Sequence, residues 1–579
     1  MEKRLMLGNE AVARGAYEAG VRLVSSYPGT PSTEITENCA KYPEIYAEWA
    51  VNEKVAMEVC VGAADGGARA MCCMKHVGVN VAADPLFTVS YTGVNGGMVI
   101  VCADDPAMHS SQNEQDSRFY ARSAHLMMLE PADSQECSDF ARAAFDLSER
   151  FDAPVMLRLT TRIAHARSMV TLGERREREI KPYQKDIRKN VMMPGMARGR
   201  HVVVEEREKE QAAFVETSEL NRVEMRDPAI GVICSGIAYQ YVREALPEAS
   251  VLKLGIVYPL SEKLIREFAS KVQALYVVEE LEPFFETRLR AWGISLAGGK
   301  NLTGLQGELS ARRVEEAFGR ETAPLYPAQE TLNRPPLMCA GCPHRGPYSV
   351  LAKLKMHVTG DIGCYTLGAL PPLSAVDTVL CMGASIGMSQ GFARARGKEF
   401  AQHTVAVIGD STFLHSGVTS LINAVYNRTG ITVMILDNRI TGMTGHQPNP
   451  ASGRNIYGEP APEIDLAALC RACGVNRVVT VDSFDLAGLE KALKEETASD
   501  EVSVIIARRP CALLDRKSRK TPLKADPAVC RGCFSCMKIS CPAIEKRDKH
   551  VWINPDQCVG CGLCLETCRF GAIGGGEKA

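Results

Sequence analysis

Apolar residues come in short runs along most of this chain, and their spacing is that of an α/β fold. In VAVIGDSTFLHSGVTSLINAVYNRTGITVMILDN the first run, Thr404 to Ile408, predicts a buried strand. Gly409-Asp410 turns it into an amphipathic helix through Leu421 and Val425. A second run, Ile431 to Leu436, delivers Asp437-Asn438. This βαβ unit places Asp410 and Asn438 together at the carboxyl ends of two parallel strands, where open α/β sheets bind ligands. Residues 1 to about 170 alternate in the same way. The pattern restarts near residue 228, with AIGVICSG, LKLGIVYPL and ALYVVEEL as buried strands. Between these stretches lie GERREREIKPYQKDIRKN and VEEREKEQ, mixed charge runs with little apolar period. They predict an exposed connection with helical pieces.

A chain of 579 residues is too long for one core and predicts about three to five domains. Hydrophobic residues are 46% and charged residues 23%, with a formal net charge of -2. No global field recruits nucleic acid, and no apolar run approaches the roughly 20 residues of a membrane span. MEKRLMLGNEAV lacks a signal-peptide core, so the expected compartment is the cytoplasm. There the 22 cysteines stay reduced, and clustered ones are metal ligands before they are disulfides.

The clustering is at the C-terminal end. Cys530, Cys533, Cys536 and Cys541 form one run, and Cys558, Cys561, Cys564 and Cys568 a second, the leading triplets offset by 28 residues. A C-x2-C-x2-C turn aims three thiolates at one iron-sulfur cube, and the distant fourth cysteine reaches the other cube. Cys530, Cys533, Cys536 and Cys568 are therefore expected on one [4Fe-4S] cluster, and Cys558, Cys561, Cys564 and Cys541 on another. The segment resembles a bacterial two-cluster ferredoxin domain. Cys339-x2-Cys342 has no second pair at suitable spacing nearby and is not read as a metal site, and Cys470-x2-Cys473 is read as core.

Asp410 and Asn438 offer a carboxylate and an amide carbonyl, which suit Mg2+ carrying phosphate oxygens. A plain Rossmann-like turn with an incidental aspartate fits the strand pattern as well. Gly409-Asp410-Ser411, followed after a βαβ spacing by Asn438, also resembles the diphosphate signature of thiamine-diphosphate (TPP) enzymes. That resemblance implies Mg2+ on Asp410, Asn438 and the backbone carbonyl of Ile440.

LGNEAVARGAYEAG, YPGTPST, CAGCPHRG, GDSTFLHSG, ILDNRITGMTGHQP and the two cysteine runs together resemble the 2-oxoacid:ferredoxin oxidoreductase family, in the large (alpha) subunit of its indolepyruvate branch. The resemblance implies a multidomain α/β chain. Residues 1–175 would be a pyrimidine-binding domain, 176–225 a connection and 226–325 a transketolase-C-like domain. Residues 335–515 would bind the diphosphate, and 520–579 would hold both clusters. It implies that Glu53, with Gly62-Ala63 behind it, activates TPP, with Glu58 as second choice. Thr30 would contact the substrate carbonyl. Arg122, four residues from Arg118 on a helix, would clamp the carboxylate; two solvated arginines fit the residues equally. Cys364 would lie near the cofactor. His446, beside Gln447, would be a proton shuttle or a donor to substrate, or equally a structural histidine.

The implied reaction oxidises arylpyruvates to aryl-acetyl-CoA on TPP, with coenzyme A as co-substrate and electrons leaving through two clusters to ferredoxin. An anaerobic host goes with such clusters. A separate small beta subunit and an α2β2 assembly are implied, with TPP between the pyrimidine domain of one large subunit and the diphosphate domain of its neighbour. Another 2-oxoacid, a non-oxidative decarboxylase and a pure electron-transfer subunit are the alternatives.

Overall fold

The computed structural model describes residues 2–322, 336–514 and 520–575. The chain divides into two compact units, 1–328 and 329–579.

The first unit contains β1 (Lys3–Leu7), β2 (Leu23–Ser26), β3 (Tyr46–Trp49), β4 (Ala70–Lys75), β5 (Met98–Asp104), β6 (Met128–Leu129), β7 (Val155–Thr160) and β8 (Arg167–Thr171). After these come β9 (Arg222–Glu224), β10 (Asp227–Ser235), β11 (Ala249–Leu254), β12 (Ile256–Tyr258) and β13 (Ala274–Val278). Seven strands form the main sheet in the order β12-β6-β7-β5-β4-β2-β3, parallel except for β12. Every residue of β4, β5 and β7 is buried. That is why these strands read as unbroken apolar runs: a parallel sheet covered on both faces leaves no position for an exposed side chain. One core lies on each face. A second sheet, β13-β10-β11-β9, belongs to the later segment. The same segment also supplies β12, which hydrogen-bonds to β6, so the seam expected near residue 225 is bridged by a shared sheet.

The charge-rich connection holds a 24-residue helix, Pro194–Thr217, which is more ordered than expected. Proline at its first position needs no N–H partner there. Its buried residues are Val204, Arg207, Gln211 and Val215, one face at helical spacing. Two of the four are polar, so the sequence shows no apolar stripe. Arg207 donates to the carbonyls of Ser90 and Asp152.

In the second unit, β14 (His357–Thr359), β15 (Thr404–Gly409), β16 (Thr432–Asp437), β17 (Arg477–Asp482) and β18 (Ser503–Arg508) form a parallel sheet in the order β14-β15-β16-β18-β17. Apolar cores cover both faces. The C-terminal segment adds two small antiparallel pairs: β19 (Lys524–Ala525) with β22 (Ile573–Gly574), and β20 (Ile544–Arg547) with β21 (His550–Ile553).

Candidate active site

Asp410 and Asn438 leave β15 and β16 side by side, Gly409 lying opposite Leu436 in the register. Gly409 is required by a close approach, since a Cβ there would stand 2.5 Å from the Tyr365 ring. Tyr365 is held by its own hydroxyl, which donates to the Ile362 carbonyl at 2.8 Å.

Asp410 is 2% exposed. Burial, and next the Asp437 carboxylate, push its pKa up to about 7. Its carboxylate accepts from the Asn449 amide at 3.4 Å and from the backbone N–H groups of Ser411 and Arg439. Asp437 is committed elsewhere, to Arg508 at 2.7 Å. Hydrogen-bonded but without a cation at ion-pair distance among the described residues, this buried carboxylate favours a cation as a neighbour.

The Asn438 side-chain oxygen Oδ1 accepts the Ile440 N–H at 3.2 Å, and the side-chain NH2 faces Nε2 of His344 at 3.4 Å. Burial and then Arg345 push the His344 imidazole down to about 4, so it is neutral and accepts from that amide. Arg439, between Asn438 and Ile440, takes a left-handed φ of 65° and turns the chain sharply there. Thr441 donates to the Ser411 hydroxyl at 2.8 Å, which ties the two strand exits together. His446 sits at φ 71° on the tip of the following turn, while Gln447 beside it is buried and bonded to Thr444. Among the described residues no hydrogen bond holds the His446 ring, which weakens a purely structural role.

Sequence reasoning missed Asn449 and Asp361. Asp361 is fully buried and accepts N–H groups from Ile362, Gly383 and Ser385 at 2.8, 2.8 and 3.0 Å. It therefore ties the GDIGC turn to the MGAS turn. The signal was present, since an acid inside one glycine-rich turn can accept N–H groups from that turn and from a second one.

The eight C-terminal thiols fall into two groups. Cys536 lies close enough to Cys568, Cys533 and Cys530 to feel their charge. Cys564 feels Cys561, Cys541 and Cys558. The second group surrounds a largely apolar cavity walled also by Ile539, Ile553 and Leu563. A third group was not expected. Cys364 lies close enough to Cys511 and Cys339 to feel their charge, Cys342 to feel that of Cys364 and Cys339, and Cys511 to feel that of Cys339. Cys364 lies against Gly442, where a Cβ would be 3.3 Å from its sulfur, and the Cys511 N–H donates to the Asn438 carbonyl at 3.0 Å. Cys339 and Cys342 thus do have a second pair; the fold brings it from strand ends far away in sequence. No three described His, Cys, Asp or Glu side chains converge on a single point, as one metal ion would need. A four-iron cube has a thiolate at each corner and needs the wider spacing.

Arg345 lies between the third group and the second. It is 1% exposed, and the thiols acting on it are Cys342, Cys541, Cys339 and Cys561. It donates to the carbonyls of Met338, Cys339, Ile539 and Ser540. These bonds fasten the C-terminal segment to the CAGCPHRG loop.

In the first unit, Glu53 opens the helix Glu53–Asp65, whose first turn is capped by the Asn52 side chain accepting the Val55 N–H. Glu53 is 5% exposed and its carboxyl packs on Gly78, where a Cβ would stand 2.7 Å from Oε1. Glu58 is at the surface, paired with Lys54. Of the two, Glu53 is the buried one. Thr30 follows β2 at the carboxyl end of the sheet.

The two arginines of the next helix have different fates. Arg118 is fully buried and paired with Asp116 and Glu279, so it is neither solvated nor free for substrate. Arg122 is exposed and lines a cavity with His125, Glu208, Tyr258 and Arg288. Tyr258 pairs with Met128 of β6, four strands from β2, or roughly 19 Å at the usual spacing. The structure does not bring Arg122 to Thr30.

Three family profiles match the chain in order. Residues 14–228 match the thiamine-diphosphate-binding domain of pyruvate flavodoxin/ferredoxin oxidoreductases. Residues 361–507 match the C-terminal TPP-binding domain of thiamine pyrophosphate enzymes, and 551–574 a 4Fe-4S binding domain. Indolepyruvate oxidoreductase subunit IorA of Archaeoglobus fulgidus is 40% identical over 99% of this chain and 97% of its own length. The proteins of the same name from Methanothermobacter marburgensis and Pyrococcus horikoshii are 41% and 39% identical over the same shares. Full-length likeness of this degree, together with the TPP and iron-sulfur profile matches, settles the assignment: the chain belongs to the 2-oxoacid:ferredoxin oxidoreductase family, as a catalytic large subunit of its indolepyruvate branch.

Proposed function

We propose that this chain oxidatively decarboxylates arylpyruvates, indolepyruvate among them, to aryl-acetyl-CoA and passes the electrons to ferredoxin. The observation that carries the reading is the juxtaposition at the end of β15 and β16. A buried, under-compensated Asp410 lies beside Asn438, and the Cys364–Cys511 group begins one residue contact away.

Asp410, Asn438 and the Ile440 carbonyl would hold Mg2+ and, through it, the cofactor diphosphate. TPP, when bound, supplies the electron sink that lets the 2-oxoacid lose carbon dioxide. Glu53 would hold a proton for the pyrimidine ring. Neutral His344 keeps the Asn438 amide turned so that its oxygen faces Ile440. Gly409, Ser411 and Thr441 close the turn around the site.

Two electrons would leave singly through [4Fe-4S] clusters on the C-terminal quartets. Cys339, Cys342, Cys364 and Cys511 would take a further cluster nearest the site. The name of the relatives, a subunit, supports a separate small partner, with an α2β2 assembly in the cytoplasm. No described helix is long and apolar enough to cross a membrane.

The test is anaerobic. The chain is co-expressed with its small partner and given TPP, Mg2+ and indolepyruvate, with and without coenzyme A, while the iron-sulfur absorbance is followed. Bleaching that requires the arylpyruvate and disappears in Glu53→Gln is expected, with about twelve irons per chain. Carbon dioxide release from clusters that stay oxidised would replace this reading by a non-oxidative decarboxylase. About eight irons, unchanged in Cys364→Ser, would remove the third cluster.

A further inference from the structure

β2 and β4 are neighbours in the first sheet, Ser26 lying opposite Cys73. Both chains leave the sheet at the same end, β2 into Tyr27-Pro28-Gly29-Thr30 and β4 into Lys75-His76-Val77-Gly78. The two exits touch: a Cβ on Gly29 would stand 3.1 Å from the Cβ of Lys75. At the other end of the same four residues, Gly78 carries the Glu53 carboxyl. Residues 75–78 therefore span the distance from the Thr30 loop to Glu53.

Lys75 is 8% exposed, and its ammonium donates to one carbonyl, that of Ser110 at 2.6 Å. Among the described residues no carboxylate reaches ion-pair distance of it. Asp105 acts on it electrostatically but is engaged by the Ser110 N–H at 2.8 Å and by the hydroxyls of Ser111 and Thr161, each at 2.6 Å. An ammonium has three donors, so two remain. Burial, only partly offset by the Asp105 charge, lowers its pKa to about 8.

His76 is 1% exposed; one ring nitrogen faces the Asn113 carbonyl at 3.2 Å, and Nδ1 has no partner. A buried cation with spare donors, beside a buried imidazole nitrogen and against the loop that carries Thr30, is a site built for a small carboxylate.

We propose that Lys75 binds the carboxylate of the 2-oxoacid, with His76 as its polar neighbour, in the place that sequence resemblance gave to Arg122. The assignment rests on reading Thr30 and Glu53 as one end of the active site.

The experiment uses the complete enzyme with its partner and cofactors. Lys75→Met keeps the buried aliphatic stem and removes the charge. It should raise KM for indolepyruvate about 10- to 100-fold, the size of a lost charged hydrogen bond, while kcat changes less than about threefold. Lys75→Arg should recover most of the loss. Calorimetry with indole-3-lactate, a carboxylate that cannot be decarboxylated, should show the same loss, and the corresponding amide should bind both proteins equally. TPP content and iron-sulfur absorbance check integrity. If the methionine variant does not hold its cofactors, Lys75→Gln and Lys75→Arg carry the comparison.

A wild-type KM in a charge-removed variant, or equal weakening toward acid and amide, would overturn the assignment. Failure of the unsubstituted enzyme to turn over any 2-oxoacid would instead overturn the reading beneath it.

Discussion

Arg158 and Asp410 are both buried, but only Arg158 finds its counter-charges within its own unit. In the first unit Arg158 meets Asp104 at 2.7 Å and Glu130 at 2.5 Å. Arg118 meets Asp116 at 2.5 Å and Glu279 at 2.7 Å. The acids are bonded in turn, Asp104 by the N–H and hydroxyl of Ser117, Glu130 by the Ser235 hydroxyl, and Glu279 by the N–H groups of Phe285 and Glu286. Asp410 in the second unit has the N–H groups of Ser411 and Arg439, an amide at 3.4 Å and a like charge behind it, but no cation at ion-pair distance among the described residues. A closed set of charges specifies packing; an open one leaves a valence for something the chain does not contain.

The contrast is sharpest in stability. Arg158→Met removes one side of the closed set and strands Asp104 and Glu130. A loss of about 3–5 kcal/mol is expected in chemical denaturation, and added TPP and Mg2+ should not restore it.

Asp410→Asn should act in the opposite sense on the cofactor-free protein. The folded pKa, about 7, lies above the unfolded value of 3.8, so the folded chain binds the extra proton. Stability of the cofactor-free wild type should therefore fall as pH rises from about 4 to 7, by an amount on the order of 4 kcal/mol at most. The asparagine variant should lack this slope and be the more stable protein at pH 8. It should also lose more than about 100-fold in kcat/KM, the upper end of what loss of an outer metal partner costs. A flat pH profile in the wild type would erase the distinction between the two clusters.

The smallest effect belongs to Arg122, which faces its own cavity and not Thr30. Arg122→Gln should leave KM for the 2-oxoacid within about twofold, as a surface substitution usually does. A tenfold rise would bring Arg122 back to the substrate.

Much of this was legible in the chain itself. Strands buried on both faces announce themselves as apolar runs, and β15 and β16 fell within one residue of their expected ends. The eight C-terminal cysteines were legible because their spacing is local. Cys339, Cys342, Cys364 and Cys511 were not, because a loop ahead of a helix and two separate strand exits deliver them and no local spacing encodes that. Arg118 and Arg122 look alike in sequence; only the packing of Glu279 against the helix tells the buried one from the exposed one. The helix Pro194–Thr217 was hidden because Arg207 and Gln211 occupy its buried face.

The pairing of β12 with β6 has a consequence for recombination. Cutting this chain near residue 225 to transplant its first domain would strip the strand that covers the β6 edge. A row of unpaired N–H and C=O groups would be left open to other chains. The portable module is everything up to the stretch after residue 322, and shuffling of these parts between enzymes, natural or engineered, would have to respect that junction.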